Sequence, residues 1–358
     1  TQIKGKLNED YIKGLIDALS NVNGPYKIFV FVRSVHRELF NHKNLNIVDC
    51  GNLNVLKRIL WEQLYLPFLV KKYKIDLLHS PNYTIPVFAR CRKVCTIHDL
   101  TSYIYPNRRK RIHGWFFRLM IKFSVSNADC IVSVSENTKK DILRTFNDLR
   151  THVECVYQGF GSIYSTRVKT NELSYKSTVK KPYFLFVSTI EPSKNLERLI
   201  DAFGSFSNTT DKKYSLYISG KLGWDYTKVL QKINTEFQNH SIEYVGYVKD
   251  DELVDLYRNA FAFIYPSLYE GFGIPPLEAM ACGIPVLCSN NSSLPEVVGN
   301  AAITFDPYCT QEIESAMKQI SSDLSLRDEL INRGYSQCKK FSWNDNAEKT
   351  ISLYHKIL

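Results

Sequence analysis

What most constrains this chain is an alternation, sustained from one end to the other, of short apolar runs with longer amphipathic ones. Strand-length runs rich in β-branched and aromatic residues fall at 27–33, 75–80, 93–98, 130–135 and 152–157 in the first half, and at 183–189, 215–219, 242–245, 261–265 and 285–288 in the second. Between them the spacing becomes helical: Leu196, Leu199, Ile200 and Phe203 follow i, i+3, i+4, i+7. Runs that are apolar on both faces must be covered by helices on both faces, which predicts doubly wound, parallel α/β sheets. At 358 residues the chain has room for two such domains. They are expected over 1–165 and 182–341, with a polar, aperiodic linker at 166–181 and a closing helix at 342–358. A doubly wound domain ordinarily opens on a strand. Here a polar stretch runs straight into helix-like Tyr11–Leu19, so the opening strand is expected either to be absent or to lie ahead of this numbering.

Composition narrows the class. Hydrophobic residues at 44% and charged residues at 23% exclude disordered and collagen-like chains. No apolar run reaches the ~18 residues of a membrane span, and the first residues hold no signal-peptide core. Nine cysteines follow no regular spacing and form no zinc quartet, which suits reduced thiols in a cytoplasmic protein. The net charge of +10 divides into +14 over residues 1–170 and −4 over the rest. That asymmetry points the first half toward an anionic partner: nucleic acid, a lipid head-group layer or a phosphorylated substrate. No nucleic-acid-binding module is recognisable. Arg108, Arg109, Lys110 and Arg111 precede a stretch in which Arg111, Arg118 and Lys122 share one helical face, and Ile112, Phe116, Leu119, Met120 and Phe123 another. Such an element can lie on an anionic membrane, each basic side chain contributing about 1 kcal/mol. A helix with its apolar face packed inside the domain has the same spacing.

The segment 265–287, YPSLYEGFGIPPLEAMACGIPVL, carries the most chemistry. It reads as a strand end, a loop with Gly271 and Gly273, a helix opened by Pro275 and Pro276, and a closing Gly283. Glycines let a ligand approach the backbone, and free amides at a helix start favour an anion. Glu270 before the loop and Glu278, taken to lie in the first helical turn, could line one crevice outside the carboxyl ends of the strands. In plainer readings Glu278 complements the helix dipole and Glu270 is solvated.

This segment resembles the signature of retaining nucleotide-sugar glycosyltransferases of the GT-B fold, family 4 group. SVSENTKKDI (133–142), STIEPSKNLERLIDAF (188–203), ISGKLGW (218–224) and YVGYVKDDELVDLYRNA (244–260) resemble further family segments in the same order. The resemblance implies two Rossmann-like domains facing a cleft, with the C-terminal helix returning to the first. It implies that Glu270 holds donor-sugar hydroxyls, Glu278 the ribose hydroxyls, and Lys194 the departing diphosphate. Gly271, Phe272, Gly273 and Ile274 would run along the sugar and diphosphate, with Ser188, Thr189, Gly220, Lys221 and Val248 completing the donor site. His98, ending a strand, would orient the sugar near the reacting carbon. Ser135, Arg108, Arg109 and Arg111 are acceptor-side candidates. No Asp-x-Asp metal motif stands out, and the family generally needs no metal or other cofactor; a cation and helix-end amides would meet the developing charge.

The chain departs from its relatives at Thr189, where many of them place an arginine, and at Ser193, where a sub-group does. That puts turnover in doubt more than fold. The implied activity is transfer of a hexose, mannose first, from a nucleoside diphosphate sugar such as GDP-mannose to a glycan or lipid-linked glycan, in a cytoplasmic protein peripheral to the inner membrane surface. A weakened nucleotide-sugar or glycan-binding module and a sugar-nucleotide epimerase are the alternatives.

Overall fold

A computed structural model of the chain describes residues 6–22, 24–40, 42–105, 111–164, 181–210, 213–235 and 242–358. The chain divides into two compact units, Thr1–Phe160 with Phe341–Leu358, and Gly161–Lys340. The expected linker, apart from Lys181, lies outside the described residues.

In the first unit β1 (Ile28–Val32) pairs in parallel with β2 (Leu45–Asp49). β3 (Leu77–Ser80), β4 (Arg92–Ile97), β5 (Cys130–Ser133) and β6 (His152–Cys155) form a separate parallel sheet in that order. The apolar runs are explained by burial on both faces. Along β4, Cys95 and Ile97 enter a core with Ile121, Val125 and Ile131. Val94, the residue before Cys95, points the other way onto Val132 and Leu353. Leu353 belongs to the last helix, Trp343–Ile357, which packs within this unit. Ser342 caps that helix by accepting from the Asp345 amide at 3.0 Å.

The helix Arg111–Asn127 buries a different face from the expected one. Ile121 and Val125 are wholly buried and Phe117 packs beside them, whereas Trp115 is 62% and Phe123 48% exposed. The stripe that packs is set by the nearest core residues, and Phe123 falls outside it.

The second unit holds one six-stranded parallel sheet: β7 (Tyr183–Val187), β8 (Ser215–Ser219), β9 (Ile242–Gly246), β10 (Ala262–Tyr265), β11 (Val286–Ser289) and β12 (Ala302–Phe305). Their spatial order is β12-β11-β10-β7-β8-β9. The chain winds outward from β7 in one direction and, after β9, from β10 in the other. The carboxyl ends of β7 and β10 therefore flank a topological switch point, where open α/β sheets place their ligands. Phe184, Phe186, Phe203, Phe206 and Phe263 are wholly buried around these strands. β2 and β12, the two strands not anticipated, each lie at a sheet edge and are only partly buried.

Candidate active site

At the switch point, β7 leads into a single tight turn, Pro192–Lys194, and Asn195 then adopts a left-handed conformation (φ 59°) to start the helix Leu196–Thr209. The Ser193 carbonyl accepts from the Leu268 amide at 2.8 Å and from the Ser267 hydroxyl at 3.2 Å, so the loops after β7 and β10 are tied together. This brings Lys194 and Glu270, each 9% exposed, into a buried ion pair with Nζ 2.5 Å from Oε1. The Tyr265 and Ser267 hydroxyls each donate to the same Oε1 at 2.7 Å. Three donors thus converge on one oxygen, while Oε2 accepts no hydrogen bond among the described residues. Burial alone would lower the Lys194 pKa, but the Glu270 carboxylate and the Tyr265 oxygen outweigh it and hold the ammonium above the ordinary lysine value. Burial and the Glu270 charge raise Tyr265, keeping it a hydroxyl donor.

The glycine loop is held from the turn that follows β11. The Glu270 amide donates to the Ser292 hydroxyl at 3.1 Å, and the Ser293 hydroxyl donates to the carbonyls of Glu270 (3.0 Å) and Phe272 (2.7 Å). Gly273 has φ +107°, and a Cβ there would lie 2.6 Å from Leu294 Cδ2, so glycine is required on both counts. Phe272 and Ile274 are buried, 3% and 6% exposed. The following helix, Ile274–Ala281, makes Glu278 its fifth residue, in the second turn rather than the first. Its Oε2 accepts from the Tyr257 hydroxyl at 3.0 Å.

Gly220, at the end of β8, has φ +147°, and a Cβ there would fall 1.7 Å from the Ser188 carbonyl oxygen. Ser188 in turn shares a hydrogen bond with Tyr265, which connects it to the Lys194–Glu270 pair. Thr189 and Lys221 are exposed, the Lys221 ammonium lying 4.4 Å from the Tyr247 ring centroid. Val248 is half-buried beyond β9. Ser193 is buried, and its hydroxyl bonds Glu191. Sequence reasoning missed Tyr265, Ser267, Ser292 and Ser293. A tyrosine closing an otherwise apolar strand, AFIY, two residues before a serine, was the available signal.

In the first unit His98 follows β4 and is 9% exposed. Its Nε2–H donates to the Pro81 carbonyl at 2.8 Å, so a neutral ring presents Nδ1 as an acceptor. Burial lowers its pKa, more than the Pro81 contact and Asp99 raise it. The Tyr11 ring meets it edge-on at 4.6 Å. His79 stands between the Tyr354 hydroxyl (2.5 Å, Nδ1) and the Thr96 hydroxyl (2.8 Å, Nε2), and burial, then the nearby His98, pushes it down to about 3. Ser135 is wholly buried as the cap of helix Glu136–Thr145, accepting from the Thr138 amide at 3.0 Å, so its hydroxyl serves the helix start. Arg108 and Arg109 lie outside the described residues, and of Arg111 only its place at the start of helix Arg111–Asn127 is described.

Two parallel α/β units with a buried polar cluster at a switch point define a class, and comparison with known proteins identifies it. Residues 9–160 match Glycosyltransferase Family 4 and residues 169–337 match Glycosyl transferases group 1. The chain belongs to this family of glycosyltransferases, and its fold is GT-B, built of two Rossmann-like domains. It is 34% identical over 288 residues to O-antigen chain mannosyltransferase B of Escherichia coli, which covers 80% of this chain and 75% of that protein. It is 28% identical over 304 residues to O-antigen chain mannosyltransferase RfbU of Salmonella typhimurium, covering 81% of each. A 28% match to the serotype-specific mannosyltransferase WbdA of Escherichia coli spans only 36% of that longer protein. Among solved structures, sucrose-phosphate synthase from Thermosynechococcus elongatus superposes with a TM-score of 0.77 at 20% identity, covering 99% of this chain and 94% of that one. HepE from Anabaena, solved with UDP and glucose, gives 0.74 at 17% identity, covering 99% and 97%. Among the described residues no helix is long and apolar enough to cross a membrane.

Proposed function

We propose that this glycosyltransferase transfers a hexose, with retention and without a metal, from a nucleoside diphosphate sugar to a glycan or lipid-linked glycan. Mannose from GDP-mannose is the leading donor, a choice supported by the O-antigen mannosyltransferases it is similar to. The observation that carries the reading is the buried Lys194–Glu270 pair at the switch point. Lys194 meets the charge that develops on the diphosphate, and its raised pKa keeps it cationic for that task. Glu270, with Oε1 already engaged, offers Oε2 to sugar hydroxyls. Glu278 takes the ribose hydroxyls, and the Gly271–Gly273 backbone runs along the sugar and diphosphate. His98 orients the sugar through Nδ1. In the reaction the bond between the anomeric carbon and the phosphate oxygen breaks, its electron pair leaving with the diphosphate. The acceptor oxygen bonds to the same face, and its proton passes to a diphosphate oxygen.

The test is incubation with GDP-mannose, UDP-glucose and dTDP-rhamnose, with and without glycan acceptors. Nucleoside diphosphate release and the anomeric configuration of the product are measured, in chelator and without it. Release from GDP-mannose, insensitive to chelator and abolished by Glu270→Ala, is the expected result. No release from any donor, with wild type and Glu270→Ala alike, would return the chain to a binding role. Trp115 and Phe123, exposed on the same helix as the exposed Lys122, favour a cytoplasmic enzyme resting on an anionic membrane. Equal sedimentation of wild type and a Trp115→Ser, Phe123→Ser variant with anionic vesicles would remove that placement.

A further inference from the structure

Glu278 sits half-buried on the helix Ile274–Ala281, and the backbone of that helix is held firmly. Pro276, Leu277, Ala279 and Met280 are buried on it, and the Cys338 thiol of helix Leu324–Cys338 donates to the Leu277 carbonyl at 3.4 Å. What such a backbone leaves open is the carboxylate itself, because a glutamate side chain turns about several bonds and loses much freedom on being ordered. The Tyr257 hydroxyl fixes it, donating to Oε2 at 3.0 Å.

The sheet explains why these two side chains meet. The helix Asp250–Arg258 joins β9 to β10, and Ile274–Ala281 joins β10 to β11, all strands of one parallel sheet. Both helices therefore run from the carboxyl edge of the sheet to its amino edge. Side chains on a helix lean toward its start, so Tyr257 and Glu278 both lean toward the carboxyl edge, where the glycine loop lies. The end of helix Asp250–Arg258 is pinned at the amino edge, the Leu256 carbonyl accepting at 2.6 Å from the hydroxyl of Tyr183, the first residue of β7. From that fixed base the Tyr257 ring reaches toward Glu278 and ends in the hydroxyl that meets it.

The ring alone belongs to the core. It is wholly buried, meets the Tyr164 ring edge-on at 5.9 Å and lies 5.5 Å from the Phe263 ring. Phenylalanine would make those same contacts. What the hydroxyl adds is the bond to Glu278, and a hydroxyl aimed at a carboxylate makes a charge-assisted bond. Burial, then the Glu278 charge, holds the phenol well above its ordinary pKa, so it stays a donor. We propose that Tyr257 is a positioning residue of the donor site, holding the Glu278 carboxylate where it takes the ribose hydroxyls. The proposal rests on the assignment of Glu278 to the ribose. It makes nucleotide affinity depend on a side chain that is itself wholly buried, and only through the ribose.

The test is calorimetric binding of GDP and of 2′,3′-dideoxy-GDP to wild type, Tyr257→Phe, Glu278→Ala and the double variant, with UDP run alongside because it carries the same ribose. Tyr257→Phe should weaken GDP by about tenfold, the loss of one hydrogen bond to a charged group, and hold dideoxy-GDP within about twofold of wild type. The double variant should bind GDP no more weakly than Glu278→Ala, since effects that act through one group do not add. With GDP-mannose as donor, the loss in Tyr257→Phe should appear in KM rather than in kcat. If Glu278→Ala leaves the affinity for GDP and UDP unchanged, or wild type binds neither, the ribose assignment falls and the proposal with it. If Glu278→Ala weakens GDP and Tyr257→Phe does not, the proposal alone falls. Equal losses of GDP and dideoxy-GDP in Tyr257→Phe, a further loss in the double variant, or a Tyr257→Phe chain that does not fold would each assign the hydroxyl to the core and overturn it.

Discussion

The two units place polar clusters at the carboxyl ends of similar sheets and solve opposite electrostatic problems. In the second, a full charge pair is buried: Lys194 and Glu270 sit 2.5 Å apart with Tyr265 and Ser267 supporting the carboxylate. In the first, the buried groups His79, His98, Thr96 and Tyr11 make contacts suited to neutral rings and hydroxyls. Burying a charge is tolerated only where a partner offsets its lost hydration. A pair kept in readiness therefore suits a ligand that brings negative charge, and neutral histidines suit one that brings hydroxyls. The contrast also has an acid–base sense. Lys194 is held above the ordinary lysine value, His79 and His98 below the ordinary histidine value.

The largest expected effect comes from breaking the charged cluster. Lys194→Met should lower turnover by about 10²–10³-fold, the usual loss when one stabiliser of developing charge is removed. It should also destabilise the second unit by about 3–5 kcal/mol, because Glu270 is left as an unpaired buried charge. Adding Glu270→Gln should restore most of that stability in a denaturant titration while activity stays low. If the double variant is no more stable than the single one, the pair is not the reason for the loss. Next in size is the acid response of the first unit. His79 is neutral in the fold and ordinary in the unfolded chain, so between 6.5 and about 3 the unfolded chain binds more protons and stability rises with pH. His79 should contribute fully above pH 7 and lose about 2 kcal/mol of its share by pH 5. The loss is read as faster hydrogen exchange in Leu77–Ser80 and should flatten in His79→Gln. Lys194 works in the other direction, its share being present below 10.5 and lost only at higher pH. A first unit equally stable at pH 5 and pH 7 would end the contrast.

Much of this was legible in the sequence because burial on both faces writes an unmistakable pattern. Ten of the strands appear as apolar runs, and β2 and β12 escaped. Gly273 and Glu270 stood out through the glycine loop. The helix register after that loop did not, which is why Glu278 falls one turn later than expected. The face of Arg111–Asn127 was misjudged for a related reason: with apolar residues on several sides of a helix, only the neighbouring strands decide which side is buried. Tyr265 and Ser267 were invisible as functional residues because each also fits its local element, one ending a strand and one in a turn. Their role depends on Lys194, more than seventy residues away in the chain.

The smallest effect separates support from charge within the second cluster. Tyr265→Phe removes one donor from Glu270 Oε1 but leaves Lys194 and Ser267 on the same oxygen. A hydrogen bond to a charged group is worth about 1.5–3 kcal/mol, and two remaining donors should hold the loss at or below the lower figure. That corresponds to a fall in kcat of about tenfold or less. KM for the donor should change little if Tyr265 only steadies the carboxylate, whereas direct contact with the sugar would raise it. Steady-state kinetics on Tyr265→Phe beside Lys194→Met make the comparison. A loss as large as that of the lysine variant would mean that the hydroxyl itself is part of the charge-bearing machinery, and the division between an ion pair and its neutral supports would have to be redrawn.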